Sequence, residues 1–256
     1  MSDVWERRLR RAEFLSKEWP FAGEVLRFFS VLTEFQRDVA RLVSDPLVRC
    51  ALDDGDVLPL LPAAMKLFDL VQESGPPGLA AAAAELERAP EAEQLRILRH
   101  PEGLDAVTAF FPRVLLQPRA MLGAETGPPD EAELPSGVCP GCGGAPLVAV
   151  LREDKIAETL RRSLVCSFCS NEWSFPRVVC PTCREERPEM LPRLTAQEIP
   201  WMRVEACDTC HAYLKSVDLT LNPAAEPVVD ELASLPLDVI ARERGYAKRA
   251  ANLAGV

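Results

Sequence analysis

Four short motifs carry the chemistry of this sequence: Cys139-Pro-Gly-Cys142, Cys166-Ser-Phe-Cys169, Cys180-Pro-Thr-Cys183 and Cys207-Asp-Thr-Cys210. A two-residue spacer lets a tight turn aim both sulfurs at one ion, and a tetrahedral site takes two such knuckles. The spacing is itself a repeat. Twenty-three residues lie between Cys142 and Cys166 and twenty-three between Cys183 and Cys207, so the first two knuckles recur 41 residues later, each copy opening with Cys-Pro. That pattern predicts a duplicated unit of two knuckles around a hairpin. Consecutive pairing assigns Cys139, Cys142, Cys166 and Cys169 to one metal ion and Cys180, Cys183, Cys207 and Cys210 to a second. Interleaved pairing, first with third and second with fourth, would break the repeat. Four thiolates leave no open position for water, which speaks against hydrolytic catalysis at either ion. No βαβ pattern surrounds a pair, which speaks against thioredoxin-like use. Tetrahedral sulfur suits iron and zinc alike.

Residues beside the knuckles carry weaker signals. Gly143 follows Cys142 as in a rubredoxin knuckle, where glycine lets an amide approach sulfur; Ser170, Arg184 and His211 hold that place elsewhere, so the likeness is partial. Trp173 and Phe175 follow the second knuckle, with Tyr213 and Leu214 at nearly matching places in the second repeat, and are expected to cover metal. The ninth cysteine, Cys50, is expected as a small buried apolar residue. His211 is expected as an exposed turn residue, and His100 has no recognisable partner. No catalytic residue is identified, and the chain is expected to be no enzyme.

The elements that must position these motifs fall into an α+β arrangement: an N-terminal all-α helical bundle, two tandem rubredoxin- or zinc-ribbon-like CxxC modules and a C-terminal helix. Residues 1–123 read as helical, 124–137 as a Pro-, Gly- and acid-rich linker, 138–222 as the metal modules and 223–256 as a helical segment. Phe21, Val25, Phe28, Leu32, Phe35, Val39 and Val43 make one apolar stripe over Pro20 to Ser44. Further helices are predicted from Leu60 to Glu73, Leu79 to Arg88 and Ala92 to Arg99. Another, from Glu102 to Phe111, is expected to stop at Pro112. The C-terminal helix, Val228 to Arg244, has a possible break at Pro236.

The chain of 256 residues has 48% apolar residues, 27% charged residues and a formal net charge of −10. That field opposes a polyanion, and residues 139–222 hold 10 basic against 11 acidic side chains. No apolar run approaches the ~18 residues of a membrane helix. Arg7-Arg8 and Arg10-Arg11 suggest an export signal, but Lys17, Glu18 and Pro20 interrupt the apolar stretch that one needs. They read instead as the solvated face of a first helix. A cytoplasmic location follows, where paired cysteines are metal ligands rather than disulfides.

From Trp201 to Val256, WMRVEACDTCHAYLKSVDLT and PVVDELASLPLDVIARERGYAKRAANLAG resemble the C-terminal part of the FdhE family, the formate dehydrogenase accessory proteins. CPGCGG, CSFCSNEW and CPTC fit its pattern of four CxxC motifs, and FAGEVLRFFSVLTEFQ is similar to its early helix. The resemblance implies a cytoplasmic factor that acts on the catalytic subunit of formate dehydrogenase before export. It also implies rubredoxin-like metal sites on the eight paired cysteines, leaning toward iron. Two other classes share the motifs: tandem zinc-ribbon nucleic-acid binders, disfavoured by the acidic balance, and rubredoxin-like electron-transfer proteins, which leave the helical part unexplained. Oligomeric state stays open.

Overall fold

The computed structural model describes residues 2–124, 137–154, 159–253 and 255. The acidic stretch read as a linker lies almost wholly outside them. Seven α-helices come first: α1 (Ser2–Glu18), α2 (Gly23–Val43), α3 (Pro46–Asp53), α4 (Leu61–Ser74), α5 (Pro77–Arg88), α6 (Glu91–Arg99) and α7 (Ala106–Ala124). Strands β1 (Pro146–Asp154), β2 (Thr159–Cys166), β3 (Glu172–Ser174), β4 (Arg193–Thr195), β5 (Met202–Ala206) and β6 (Ala212–Asp218) follow. Helices α8 (Pro227–Ala233) and α9 (Leu235–Glu243) and the short β7 (Ala247–Lys248) close the chain. Among the described residues no helix is long and apolar enough to cross a membrane.

The apolar stripe of α2 buries Phe28, Leu32, Phe35, Val39 and Val43 as the periodicity predicts. Leu26, Phe29 and Gln36 are buried too, because α2 packs against both α1 and α7. Phe21 departs from the stripe. It sits in a 3-10 turn before the helix and is 56% exposed, stacked on Trp19. Helix α3, which the periodicity missed, starts where Asp45 accepts hydrogen bonds from the Leu47 and Val48 amides. Its Cys50 is exposed rather than buried, because a helix this short buries only Leu52.

Helix α7 corrects the expected stop at Pro112. It begins at Ala106, capped by Asp105, and runs through both Pro112 and Pro118. A proline deprives the carbonyl four residues back of its partner. For Pro118 that carbonyl belongs to Val114, and the Gln36 side chain donates to it (3.0 Å) and to Gln117 Oε1 (2.8 Å). A tertiary donor thus replaces the missing ladder bond. Gln36→Leu leaves both buried acceptors unmatched and is expected to cost about 2 kcal/mol. Thermal unfolding should show Tm lower by ~4–8 °C for a chain of this size.

The strands form one sheet in the order β3-β2-β1-β6-β5-β4, with β7 also paired to β6. Each repeat contributes three strands: a hairpin of two, then a third beyond the second knuckle. The two sets join head to tail through parallel pairing of β1 with β6, Val148 opposite Lys215 and Leu151 opposite Asp218. The central strand β1 is buried along Leu147-Val148-Ala149-Val150-Leu151 on both faces. One face meets the core of Met202, Val204, Val217 and Leu237; the other meets Leu164, Trp173 and Leu214 beside the first cysteine group. The chain breaks between α8 and α9 at Ser234, not at Pro236, which falls in the first turn of α9.

Helix α8 bridges the two halves. Val229, Leu232 and Ala233 enter the helical core, and the same helix packs on β1 and β6. Here the paired arginines of α1 contradict their reading as a solvated face. Arg7 and Arg10 are exposed, but Arg8 and Arg11 are 3% and 8% exposed. Arg11 grips Asp230 of α8 through both carboxylate oxygens (2.8 and 2.5 Å), and Asp230 also accepts from Trp201 Nε1 (2.9 Å). Arg8 reaches Glu226 (3.5 Å) and Ser170 Oγ (2.9 Å). Buried cations need such partners, and these partners lie more than 160 residues away in sequence.

Candidate metal centre

Each knuckle is a closed turn of the same pattern. The amides of Cys139, Cys166, Cys180 and Cys207 donate to the carbonyls of Gly144, Asn171, Glu185 and Ala212, five residues on. The residue after each second cysteine is left-handed: Gly143 at φ 73°, Ser170 at 56°, Arg184 at 67° and His211 at 54°. All four knuckles therefore share the backbone shape that the sequence suggested only at Gly143. Three non-glycine residues accept the conformation, which costs of order 1 kcal/mol or more each.

The eight cysteines gather as two groups, Cys139, Cys142, Cys166 and Cys169, and Cys180, Cys183, Cys207 and Cys210. Within each group all sulfurs lie within 4.8 Å of one another. Contacts cross between knuckles: Cys139 to Cys169 at 3.5 Å, Cys142 to Cys166 at 3.4 Å, Cys180 to Cys210 at 3.7 Å and Cys183 to Cys207 at 3.6 Å. These are far beyond a disulfide bond of about 2.05 Å. A tetrahedron with metal–sulfur bonds of ~2.3 Å puts its sulfurs about 3.8 Å apart, so both groups fit a four-coordinate ion. The two groups could hold two metal ions, and the sulfur set does not select between iron and zinc.

The electrostatics of the two groups are compatible with that use. In the first group a hydrogen bond from Cys169, opposed by burial, brings the Cys166 thiol down to about 5, helped by the amides of Phe168 and Cys169. Burial pushes Cys142 up to about 11, and the hydrogen bond to Cys166 raises Cys169. In the second group burial opposes ionisation of Cys180, but the amides of Cys183 and Thr182 win and lower it, while burial raises Cys183 and Cys210. Each cradle by itself favours few thiolates, and a cation among the sulfurs would favour all four.

The surroundings of the groups differ. Trp173 and Phe175 are buried in the cluster around Cys139, Cys166 and Cys169. Gly144 lies so close that an added Cβ would stand 3.0 Å from Cys166 Sγ and 3.3 Å from Cys142 Sγ. Gly144→Ala is therefore expected to weaken metal at the first site alone. A chelator competition should release one ion per chain early and the other at the wild-type rate. In the second group Glu185 takes the place of Gly144 and ties two knuckles together, accepting from Thr209 Oγ1 (2.6 Å) and Arg187 (2.8 Å). These bonds hold its carboxyl well below the usual range, Arg187 contributing most. Tyr213 lies in the sheet core at 1% exposure, bonded to Asp238 (2.7 Å), and Trp201 stacks on Trp19, so neither is an exposed anchor. His211 is an exposed turn residue; His100 is exposed at the end of α6.

Sequence reasoning missed the grip of the helices on the second knuckle. Arg113 and Gln117 of α7 donate to the Ser167 carbonyl (3.1 and 3.4 Å), and Arg8 of α1 to Ser170. Asn171 Nδ2 approaches Cys139 Sγ at 3.7 Å.

Known proteins are similar to this chain across both cysteine groups. The family descriptions "FdhE, central domain" and "FdhE, C-terminal domain" match residues 138–177 and 178–254. The chain is 25% identical to a protein FdhE homolog of Aquifex aeolicus across 96% of its own length and 94% of that relative. It is 36% identical to one of Pseudomonas aeruginosa over 52% of this chain and 44% of the relative. The crystal structure of the FdhE protein from Pseudomonas aeruginosa superposes with a TM-score of 0.71 at 27% identity, covering 99% of this chain and 96% of that one.

Proposed function

The chain belongs to the FdhE family, and on that premise we propose that it is a non-enzymatic accessory factor for formate dehydrogenase. The eight paired cysteines hold two metal ions, iron or zinc. The metal-bearing region, 138–222, docks on the catalytic subunit, and the helical region, 1–123, supplies a second contact arm. The observation that carries this reading is the closure of both sites: each gathers four sulfurs within 4.8 Å. A saturated tetrahedral ion offers shape and charge to a partner, and no open position for a substrate. The grip of α1 and α7 on Ser167 and Ser170 supports a shared platform, since it fixes the helical arm to the first site.

The test has two parts. Cells lacking the protein should lose formate dehydrogenase activity and regain it with the intact chain. The intact chain should also capture the purified catalytic subunit, while a Cys207→Ser/Cys210→Ser chain should capture less. Normal activity without the protein would sink the accessory role, and equal capture by both chains would remove the second metal site from docking. One observation favours an electron-transfer role alongside: Cys142 and Cys183 are exposed, which brings each site to the surface. Visible absorbance that bleaches reversibly on reduction would support it; a colourless zinc-loaded protein that restores activity would exclude it.

A further inference from the structure

On the sheet beside the second cysteine group lies a cavity of about 300 Å³. Arginines dominate its polar lining: Arg162 of β2, Arg177 before the third knuckle, Arg193 of β4 and Arg249 after β7. Among the described residues Glu205 is the one carboxylate in the wall, and it is already held by Arg162 (2.7 Å) and Arg203 (3.0 Å). Arg177 and Arg193 are exposed and make no side-chain hydrogen bond or ion pair among the described residues. Arg162 is 3% exposed, and its Nε, like that of Arg249, is buried without an acceptor. Arg162 also donates to the Pro176 carbonyl (2.9 Å) and Arg249 to the Gly137 carbonyl (3.2 Å), so the cations left to meet an acceptor in the cavity are Arg177 and Arg193. Its remaining lining is aliphatic, with Val178, Val179, Leu191 and Leu214.

We propose that this cavity binds an acidic peptide segment of the protein partner, a carboxylate seated among the arginines with a neighbouring aliphatic side chain against Val178 and Leu191. The proposal rests on the accessory reading and gives the chemistry by which the partner is recognised. Guanidinium groups match a carboxylate in a planar, two-bond geometry, and their charge stands out within a chain of net charge −10. A nucleic acid fits less well. The only aromatic in the lining, Tyr213, is 1% exposed and offers no face for a base. A long polyanion also meets the negative field of the rest of the chain, whereas a short acidic segment meets only the cavity.

The test applies the full-length, metal-loaded protein to short overlapping peptides that tile the catalytic subunit. Captured peptides should pair an acidic residue with an aliphatic neighbour. Changing that Asp or Glu to its amide should weaken binding about tenfold or more, the loss of one charge-assisted contact. Arg177→Ser/Arg193→Ser, both surface positions, should weaken it equally with metal content unchanged. Binding that survives either change overturns the proposal, as does capture of no peptide. A single-stranded oligonucleotide or inorganic phosphate that binds in an arginine-dependent way while the peptides do not would reassign the cavity. If the double variant still captures the whole catalytic subunit as well as wild type does, the cavity proposal fails and the accessory reading stands. If wild type captures neither the subunit nor a peptide, both fail.

Discussion

Replacing Cys139 and Cys142 together by serine is expected to cut the metal content from two ions per chain to one and to unfold the first module. Metal binding supplies about 10 kcal/mol or more of folding free energy in small thiolate sites. The first module has little to replace it: Cys139, Cys166 and Cys169 are themselves part of its buried cluster with Leu164 and Trp173. The damage should spread by defined routes. The second knuckle carries Ser167 and Ser170, which receive Arg113, Gln117 and Arg8 from the helices. Losing that knuckle leaves Arg8 with Glu226 at 3.5 Å and Met121. Hydrogen exchange should therefore rise in β2, β3 and the C-terminal half of α7. The second site should keep its ion, because Cys180, Cys183, Cys207 and Cys210 gather without any ligand from the first. Elemental analysis with exchange mapped by mass spectrometry checks both halves. Loss of both ions together would show that the groups are not independent, and retention of two would remove Cys139 and Cys142 from the ligand set.

The cysteine groups were legible because their information is local and chemical. Two-residue spacers and a 41-residue repeat need no knowledge of distant chain, and the structure gathers the sulfurs in consecutive order. The stripe of α2 was legible for the same reason. What sequence could not supply were contacts made by residues far apart. Pro112 read as a helix stop, yet α7 runs through it and on through Pro118, whose freed Val114 carbonyl takes its donor from Gln36, 78 residues earlier. Left-handed backbone at Ser170, Arg184 and His211 has no local signature, since the turn, closed by tethered sulfurs, imposes it on residues that would not choose it. Parallel pairing of β1 with β6 joins the repeats across more than 60 residues, and a duplicated spacing says nothing about how two copies abut. Cys50 failed in the other direction: a default for free cysteines was applied to a short surface helix.

The misread arginines supply the second large effect. Arg11→Met is expected to destabilise the protein by roughly 3–5 kcal/mol, the cost of leaving a buried charge without its partner. Asp230 is fully buried, and without Arg11 it would keep only Trp201 Nε1 and the Glu226 amide as donors. The loss differs from that of a surface ion pair such as Lys17–Glu13, whose side chains are 71% and 68% exposed and whose removal should cost little because water screens the charges. The Arg11→Met/Asp230→Asn double variant separates two causes. If the penalty is the stranded carboxylate, the double variant should recover much of the single loss, because a neutral amide tolerates the site better than an unpaired charge. If instead Arg11 acts mainly by packing over Trp201, whose ring centre lies 6.0 Å from its guanidinium, the double variant should be no better than the single. Denaturant unfolding of the wild type, both single variants and the double gives the coupling directly. A coupling near zero would return Arg11 to the status of an ordinary helix residue. A coupling of several kcal/mol would make the Arg11–Asp230 contact one of the main ties between the helical region and the metal-bearing sheet.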